Sequence, residues 1–395
     1  MPFSYKRNLF ALYLIKVAKW MNLIMPVIVL FYKENGLSMQ QIFWVQSTYS
    51  FTLMFLEIPT GYLADKIGRK KSIMIGAFLG SLGYVMYSLS HGFWDFVIAE
   101  VILGVSLSLV SGADSAILFD SLAIARKESR YTQIEGRITS YGNFGEAFAG
   151  IIGGLLATMS LRMPFYVQIF ISLIAIPAAF MLVEPPLHTP VKKFTIKEMG
   201  NIIYRAIHKD TKLKWNTLFS SFIGVSTLAM AWLTQAYFKH IQLPVSMFGI
   251  TWAGLNLVTG FAALFVWQID KKYGVRKTVY IFTAALFFCY LFLPFVPWYA
   301  GISLLFIFYI ARGMATPTLR YYVNIITTSD TRATVMSVRN FLIRFLFAIT
   351  GPVWGWLVDN YSLNAAILSA GIFYGIFSFI SLFYFIKHKT YQPYQ

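Results

Sequence analysis

Gly61-Tyr62-Leu63-Ala64-Asp65-Lys66-Ile67-Gly68-Arg69-Lys70-Lys71 is a short charged passage between two long apolar runs, 41–64 before it and 72–91 after it. Each run is about as long as the roughly 20 residues a helix needs to cross a hydrocarbon core. A connection this short and this basic reads as the turn of a membrane hairpin: Gly68 permits the tight turn, and the cations stay at the surface. Working outward, the same alternation gives spans at 8–31, 41–64, 72–91, 94–122, 136–160, 163–183, 215–239, 246–270, 277–296, 298–324, 333–358 and 364–387. In lipid every backbone polar group must be bonded internally, so these segments are expected as helices, and the ten-residue alternating strands of a barrel are absent. The fold class is all-α, a polytopic membrane protein of twelve transmembrane helices.

Composition and charge placement support that reading. Of the 395 residues 57% are hydrophobic and 12% charged, against roughly 45–50% and about 25% in soluble domains. A net charge of +17 would point to nucleic acid in a soluble chain, but here the positions of the cations decide its meaning. Connections on one side hold 23 Lys and Arg, from Lys6 and Arg7 through Lys66, Arg126 and Lys271 to Lys389; those on the other side hold three, Lys33, Arg162 and Lys239. The positive-inside rule then places both termini in the cytoplasm, with the chain in a plasma membrane of the bacterial inner-membrane type. The bilayer is the expected partner and nucleic acid is not. Lys6 and Arg7 precede an apolar run with no small-residue cleavage site after it, which reads as an uncleaved first span.

Three regions follow: a six-helix bundle over 1–183, a cytoplasmic linker over 184–214, and a second six-helix bundle over 215–395. The linker carries Phe194, Met199, Ile202, Ile203, Ala206 and Ile207 among lysines, a pattern shared by a basic amphipathic helix on the membrane surface and by a plain linker obeying the charge rule. The two bundles repeat each other. Arg130, Thr132 and Arg137 precede Arg332, Thr334 and Arg339 by one offset, Gly153 precedes Gly355 by the same offset, and the charged passage after span two is echoed at Asp270–Lys277. Such self-similarity is the mark of a duplicated unit.

The passage Gly61 to Lys70 resembles the signature that the major facilitator superfamily carries between its second and third spans, and the resemblance extends over nearly the whole chain. It implies a transporter of two pseudo-symmetric six-span halves working by alternating access. It also implies that Asp65, Gly68 and Arg69, with Asp120 at the inner end of span four, form a charge latch that gates the cytoplasmic side. Other motifs depart from the efflux-type members. Glu100 stands four residues before Gly104 where those members carry Arg, and Ala149-Gly150-Ile151-Ile152-Gly153-Gly154 lacks the proline of their span-five motif. The twin at Gly351-Pro352-Val353-Trp354-Gly355 keeps it.

A charge inside a span costs roughly 2.5–3.5 kcal/mol on insertion scales, so each such residue is a functional candidate. The embedded cations are Lys16, Lys19, Arg137, Arg312, Arg320, Arg339 and Arg344; the embedded acids are Glu57, Glu100, Asp114, Asp120 and Glu146, all in the first half. By the helical rise, Lys16, Glu57, Asp114 and Glu146 are expected in one layer about 10–15 Å deep. Asp114, Glu146 and Glu57 are the proton-coupling candidates, since partial desolvation suits a carboxylate to that task. Arg312, Arg344, Lys16 and Lys19 are the substrate-binding candidates, because Arg offers a fixed charged fork to carboxylate or phosphate. The alternative is that the arginines reach across to the acids of the other half. Arg320 and Arg339, nearer the cytoplasm, are weaker candidates.

No other chemistry is expected. Cys289 is the single cysteine, none of the five histidines lies in a span interior, and no spacing suggests a metal site, a nucleophile or a phosphate cradle. The chain is therefore read as no enzyme and as needing no cofactor. The leading expectation is a monomeric, proton-coupled secondary transporter of a small organic solute, anionic or zwitterionic. Alternatives are a multidrug exporter, or a metabolite or siderophore exporter, working as a proton antiporter. A lipid-modifying enzyme or a transport-dead receptor lies further off.

Overall fold

The computed structural model describes residues 4–127, 130–185, 210–297, 299–327 and 332–392. The hydrophobic positions 194–207 of the linker lie outside the described residues. Among the described residues there is no strand. The helices are α1 (Tyr5–Trp20), α2 (Ile28–Glu34), α3 (Met39–Ile67), α4 (Arg69–Leu89), α5 (Phe93–Val110), α6 (Ala113–Ile124), α7 (Tyr131–Met159), α8 (Met163–Leu173), α9 (Ala175–Met181), α10 (Thr211–His240), α11 (Val245–Phe292), α12 (Ala300–Ile325), α13 (Arg332–Asn360) and α14 (Leu363–Lys387). Eight helical stretches among the described residues are long and apolar enough to cross a membrane. One of them, Val245–Phe295, runs for 51 residues and turns at Gly274, whose φ of 78° and ψ of 158° are not helical.

Three apolar runs expected as single helices are divided; the sixth keeps helical angles at Ile174, between α8 and α9, and the other two leave helical geometry. The first leaves helical geometry after Trp20 and resumes at Ile28, and the freed Leu23 N–H donates to Gln168 Oε1 at 2.9 Å while Ile24 N–H reaches Asn22 Oδ1 at 3.2 Å. The fourth breaks between α5 and α6 at Gly112, where φ is +84°, a conformation L side chains rarely adopt. Irregular backbone survives at membrane depth only where neighbours supply the lost hydrogen bonds, as Gln168 does here.

The described residues gather into two compact units. One holds those within Met1–Leu37, Thr48–Thr195 and Pro244–Ala253; the other holds those within Ser38–Ser47, Ile196–Leu243 and Gly254–Gln395. The first turns of α3 thus belong with the second unit, and those of α11 with the first. In the first unit Leu12, Ile15, Ile73, Ile117, Leu118 and Leu182 form a buried core. In the second, Phe219 packs on Phe282 and Phe385 with ring centres 6.3 and 5.2 Å away. Lipid tails are as apolar as these side chains, so close packing and polar clamps hold the helices together.

The clamps are alike in the two units. Near the start of the first unit's chain, Asn8 donates to Ser121 Oγ at 2.9 Å and to the Val183 carbonyl at 2.8 Å. Asn216 does the same work in the second, donating to the carbonyls of Tyr322 and Thr390 at 3.0 Å each. In the second unit the Asp359 carboxylate also caps α3, accepting from the backbone N–H groups of Met39 at 2.8 Å and Gln40 at 2.7 Å.

Candidate functional site

The break at Gly112 builds the site. It ends α5 and starts α6 afresh, so Asp114 sits in the first turn of a new helix, where unpaired backbone N–H groups favour a negative charge. Its Oδ1 accepts from the Ser115 N–H at 2.6 Å and from the Ser115 hydroxyl at 3.2 Å. Its Oδ2 faces Lys16 Nζ of α1 at 3.7 Å, and both side chains are only 8% exposed. Lys16 lies four residues before α1 itself ends. The ion pair therefore stands beside the points at which two membrane-crossing segments are interrupted. Buried charges of this kind need a partner, and each here has one.

Of the four groups expected in one layer, Lys16 and Asp114 are seen in contact. Glu57 is exposed on α3 and Glu146 half-buried on α7, each with contacts of its own. Lys19, in the last turn of α1, is exposed. The side chain of Arg137 lies outside the described residues.

The charged passage after α3 closes into a compact network within the first unit. Gly68 takes φ +99°, as the tight turn expected from the sequence requires. Arg69 donates through Nη1 to Asp120 Oδ2, and its Nε lies 3.7 Å from Asp65 Oδ1. Glu184 completes the network by capping α4: its two carboxylate oxygens accept from the Arg69 N–H at 3.0 Å and the Lys70 N–H at 2.8 Å. Sequence reasoning missed Glu184, since nothing local marks an acid more than a hundred residues away as a helix cap.

It also placed Glu100 without its partners. The side chain is buried, and Tyr87 of α4 donates its hydroxyl to Oε1 while Tyr32 of α2 reaches the same atom at 3.4 Å. The hydroxyls of Tyr32 and Tyr87 also bond each other.

In the second unit, Arg312 is half-buried with its guanidinium 5.3 Å from the centre of the Tyr309 ring, and Arg344 is half-buried. Among the described residues neither makes an ion pair. Arg339 is 5% exposed and donates through Nε to the Ser220 hydroxyl of α10; Arg320 is exposed on α12. Among the described residues no group of three His, Cys, Asp or Glu could hold a metal ion.

The pattern described as Major Facilitator Superfamily matches residues 9–346. Quinolone resistance protein NorA of Staphylococcus aureus (strain MRSA252) is 26% identical over 216 residues, 55% of this chain; the chain spans about half the length of that relative, 52%. Multidrug resistance protein MdtG of Escherichia coli (strain 55989 / EAEC) is 24% identical over 402 residues, covering 96% of both chains. Among solved structures, a mutant form of nucleoside transporter NupG superimposes with a TM-score of 0.79 at 17% identity, over 97% of this chain and 99% of that one, a likeness of fold.

Proposed function

Since the chain belongs to the Major Facilitator Superfamily, as its match over residues 9–346 shows, we propose that it is a proton-coupled secondary transporter of a small organic solute bearing an anionic or zwitterionic group. The observation that carries the reading is the Lys16–Asp114 pair, 3.7 Å apart and nearly buried, beside two helix breaks. The carboxylate faces a lysine on one side and the first turn of a half-helix on the other. Should the anionic group of a solute take over Lys16, Asp114 would lose its cation and gain a proton. That exchange couples solute and proton at one place, and interrupted helices are where secondary transporters of this kind form such sites.

In this reading Asp114 carries the proton, with Glu146 and Glu57 as further acids on the proton's route. Lys16 meets the solute, with Lys19, Arg312 and Arg344 as further contacts. Asp65, Gly68, Arg69 and Asp120 form the gating latch. The chain works as a monomer of twelve spans in two six-helix bundles, with both termini in the cytoplasm of a bacterial inner membrane. A second reading, drug export by proton antiport, is favoured by the names of NorA and MdtG, which speak of quinolone and multidrug resistance.

Reconstitution into vesicles tests both. Flux of benzoate or of a quinolone is expected to follow an imposed pH gradient and to lose that dependence in Asp114→Asn. Flux of either compound that ignores both the gradient and the substitution would remove the coupling claim. Saturable flux of a permanently cationic drug, with none of either acid, would favour the second reading.

A further inference from the structure

Arg339 occupies an unusual position in the second unit. Its side chain is 5% exposed, and among the described residues its hydrogen-bond partners are two neutral groups, the Ser220 hydroxyl and Asn340 Oδ1 at 3.3 Å. A guanidinium has five N–H donors, so most of the fork is left over. Among the described residues Arg320, another cation, is near enough to act on it electrostatically. The three acids described in this unit are engaged elsewhere. Asp270 accepts from the Tyr322 hydroxyl at 2.7 Å, Asp210 caps the start of α10 through the Leu213 N–H at 2.9 Å, and Asp359 caps α3 from the far end of α13.

A buried cation without a counter-charge is strongly destabilising, and a second cation beside it makes matters worse. The chain keeps both. Arg320 is exposed on α12, whereas Arg339 is buried with donors to spare. Planar N–H forks of this sort match the paired oxygens of a carboxylate or a phosphate. Ser220 sits across from Arg339 on α10 and can turn its hydroxyl proton toward an oxyanion, because it accepts from Arg339 rather than donating to it.

We propose that Arg339, Arg320 and Ser220 form an anion site within the second unit, separate from the Lys16–Asp114 pair, which takes a compact oxyanion such as the carboxylate or phosphate group of the transported solute. Its place on the solute's path rests on the transport reading above; the binding does not, and can be measured without flux.

The test uses the full-length protein in neutral detergent, following thermal unfolding against benzoate, inorganic phosphate, and chloride at matched ionic strength. A parallel arm adds phosphatidylglycerol in mixed micelles to separate a lipid phosphate from a free anion. Benzoate or phosphate should stabilise wild type saturably, chloride should not, and Arg339→Gln should weaken the apparent affinity at least tenfold. Arg339→Lys, keeping the charge without the fork, should weaken it less. Arg320→Gln, at an exposed position, supplies the same test if Arg339→Gln does not fold. Anion binding in Arg339→Gln, read without flux, tests this site, whereas proton-driven flux in Asp114→Asn tests the transport reading, which keeps the two failures distinguishable. Unchanged anion response in Arg339→Gln and Arg320→Gln overturns the proposal, as does an equal shift with chloride. So does Asp330→Asn raising anion affinity tenfold, which would make Asp330, outside the described residues, the resident counter-charge. A response to phosphatidylglycerol and to neither free anion would assign the site to lipid and overturn its solute role.

Discussion

Removing either partner of the Lys16–Asp114 pair should cost far more than removing both. At 3.7 Å two unit charges attract by about 4.5 kcal/mol at an effective dielectric constant near 20. Burying both consumes most of that, so the intact pair contributes little net stability, whereas a stranded charge costs about 3–5 kcal/mol. Asp114→Asn keeps an oxygen for the Ser115 N–H and removes the carboxylate facing Lys16; Lys16→Met keeps the stem and removes the cation facing Asp114. Each single variant is expected to lose about 3 kcal/mol and the double variant much less than either, a coupling larger than about 3 kcal/mol. Unfolding in mild detergent titrated with sodium dodecyl sulfate, followed by tryptophan fluorescence, measures all four corners of the cycle. Additive losses in the double variant would show that the two charges do not depend on each other, and the site would lose its basis.

Other substitutions probe the supports in the same assay. Asp359→Ala removes the acceptor for two backbone N–H groups of α3 and should cost about 1 kcal/mol, with Asp359→Asn costing less; equal losses would mean that the carboxylate is not acting as a cap. Gly112→Ala meets no atom within 4 Å, so its cost is the backbone's alone, roughly 1–2 kcal/mol for a positive φ; a neutral result would show that α5 and α6 are not broken there. Tyr87→Phe takes a donor from buried Glu100 and should lose about 1–3 kcal/mol. Tyr32→Phe, whose contact with Glu100 is 3.4 Å, should lose less, and the reverse order would contradict the assigned bonds.

What could be read from the chain was what local chemistry encodes. The all-helical membrane fold followed from run length and the turn at Gly68 from its glycine, whereas the grouping of Asp65, Arg69 and Asp120 came from the family resemblance. The helix breaks were harder to see. Met21 to Val27 is mostly apolar, with Asn22 and Pro26 as the only local hints, and the group that satisfies the break, Gln168, comes from α8. Gly112 follows a serine in a run that hydropathy alone joins into one span. Depth counting put Asp114 and Lys16 at one level and the structure pairs them. The same counting says nothing of which way a side chain faces, and Glu57 is exposed. Partners such as Glu184 for α4, Ser220 for Arg339 and Asp359 for α3 lie 114 to 320 positions away; only the folded chain brings them together.

The central claim is that a solute anion and a proton exchange at Asp114. Proton uptake on addition of benzoate or a quinolone to the purified protein, in weakly buffered detergent with a pH-sensitive dye, measures that exchange directly. Wild type should take up protons in step with ligand binding, and Asp114→Asn should bind without uptake. Equal uptake by the two proteins, or binding by wild type with none, would contradict the account.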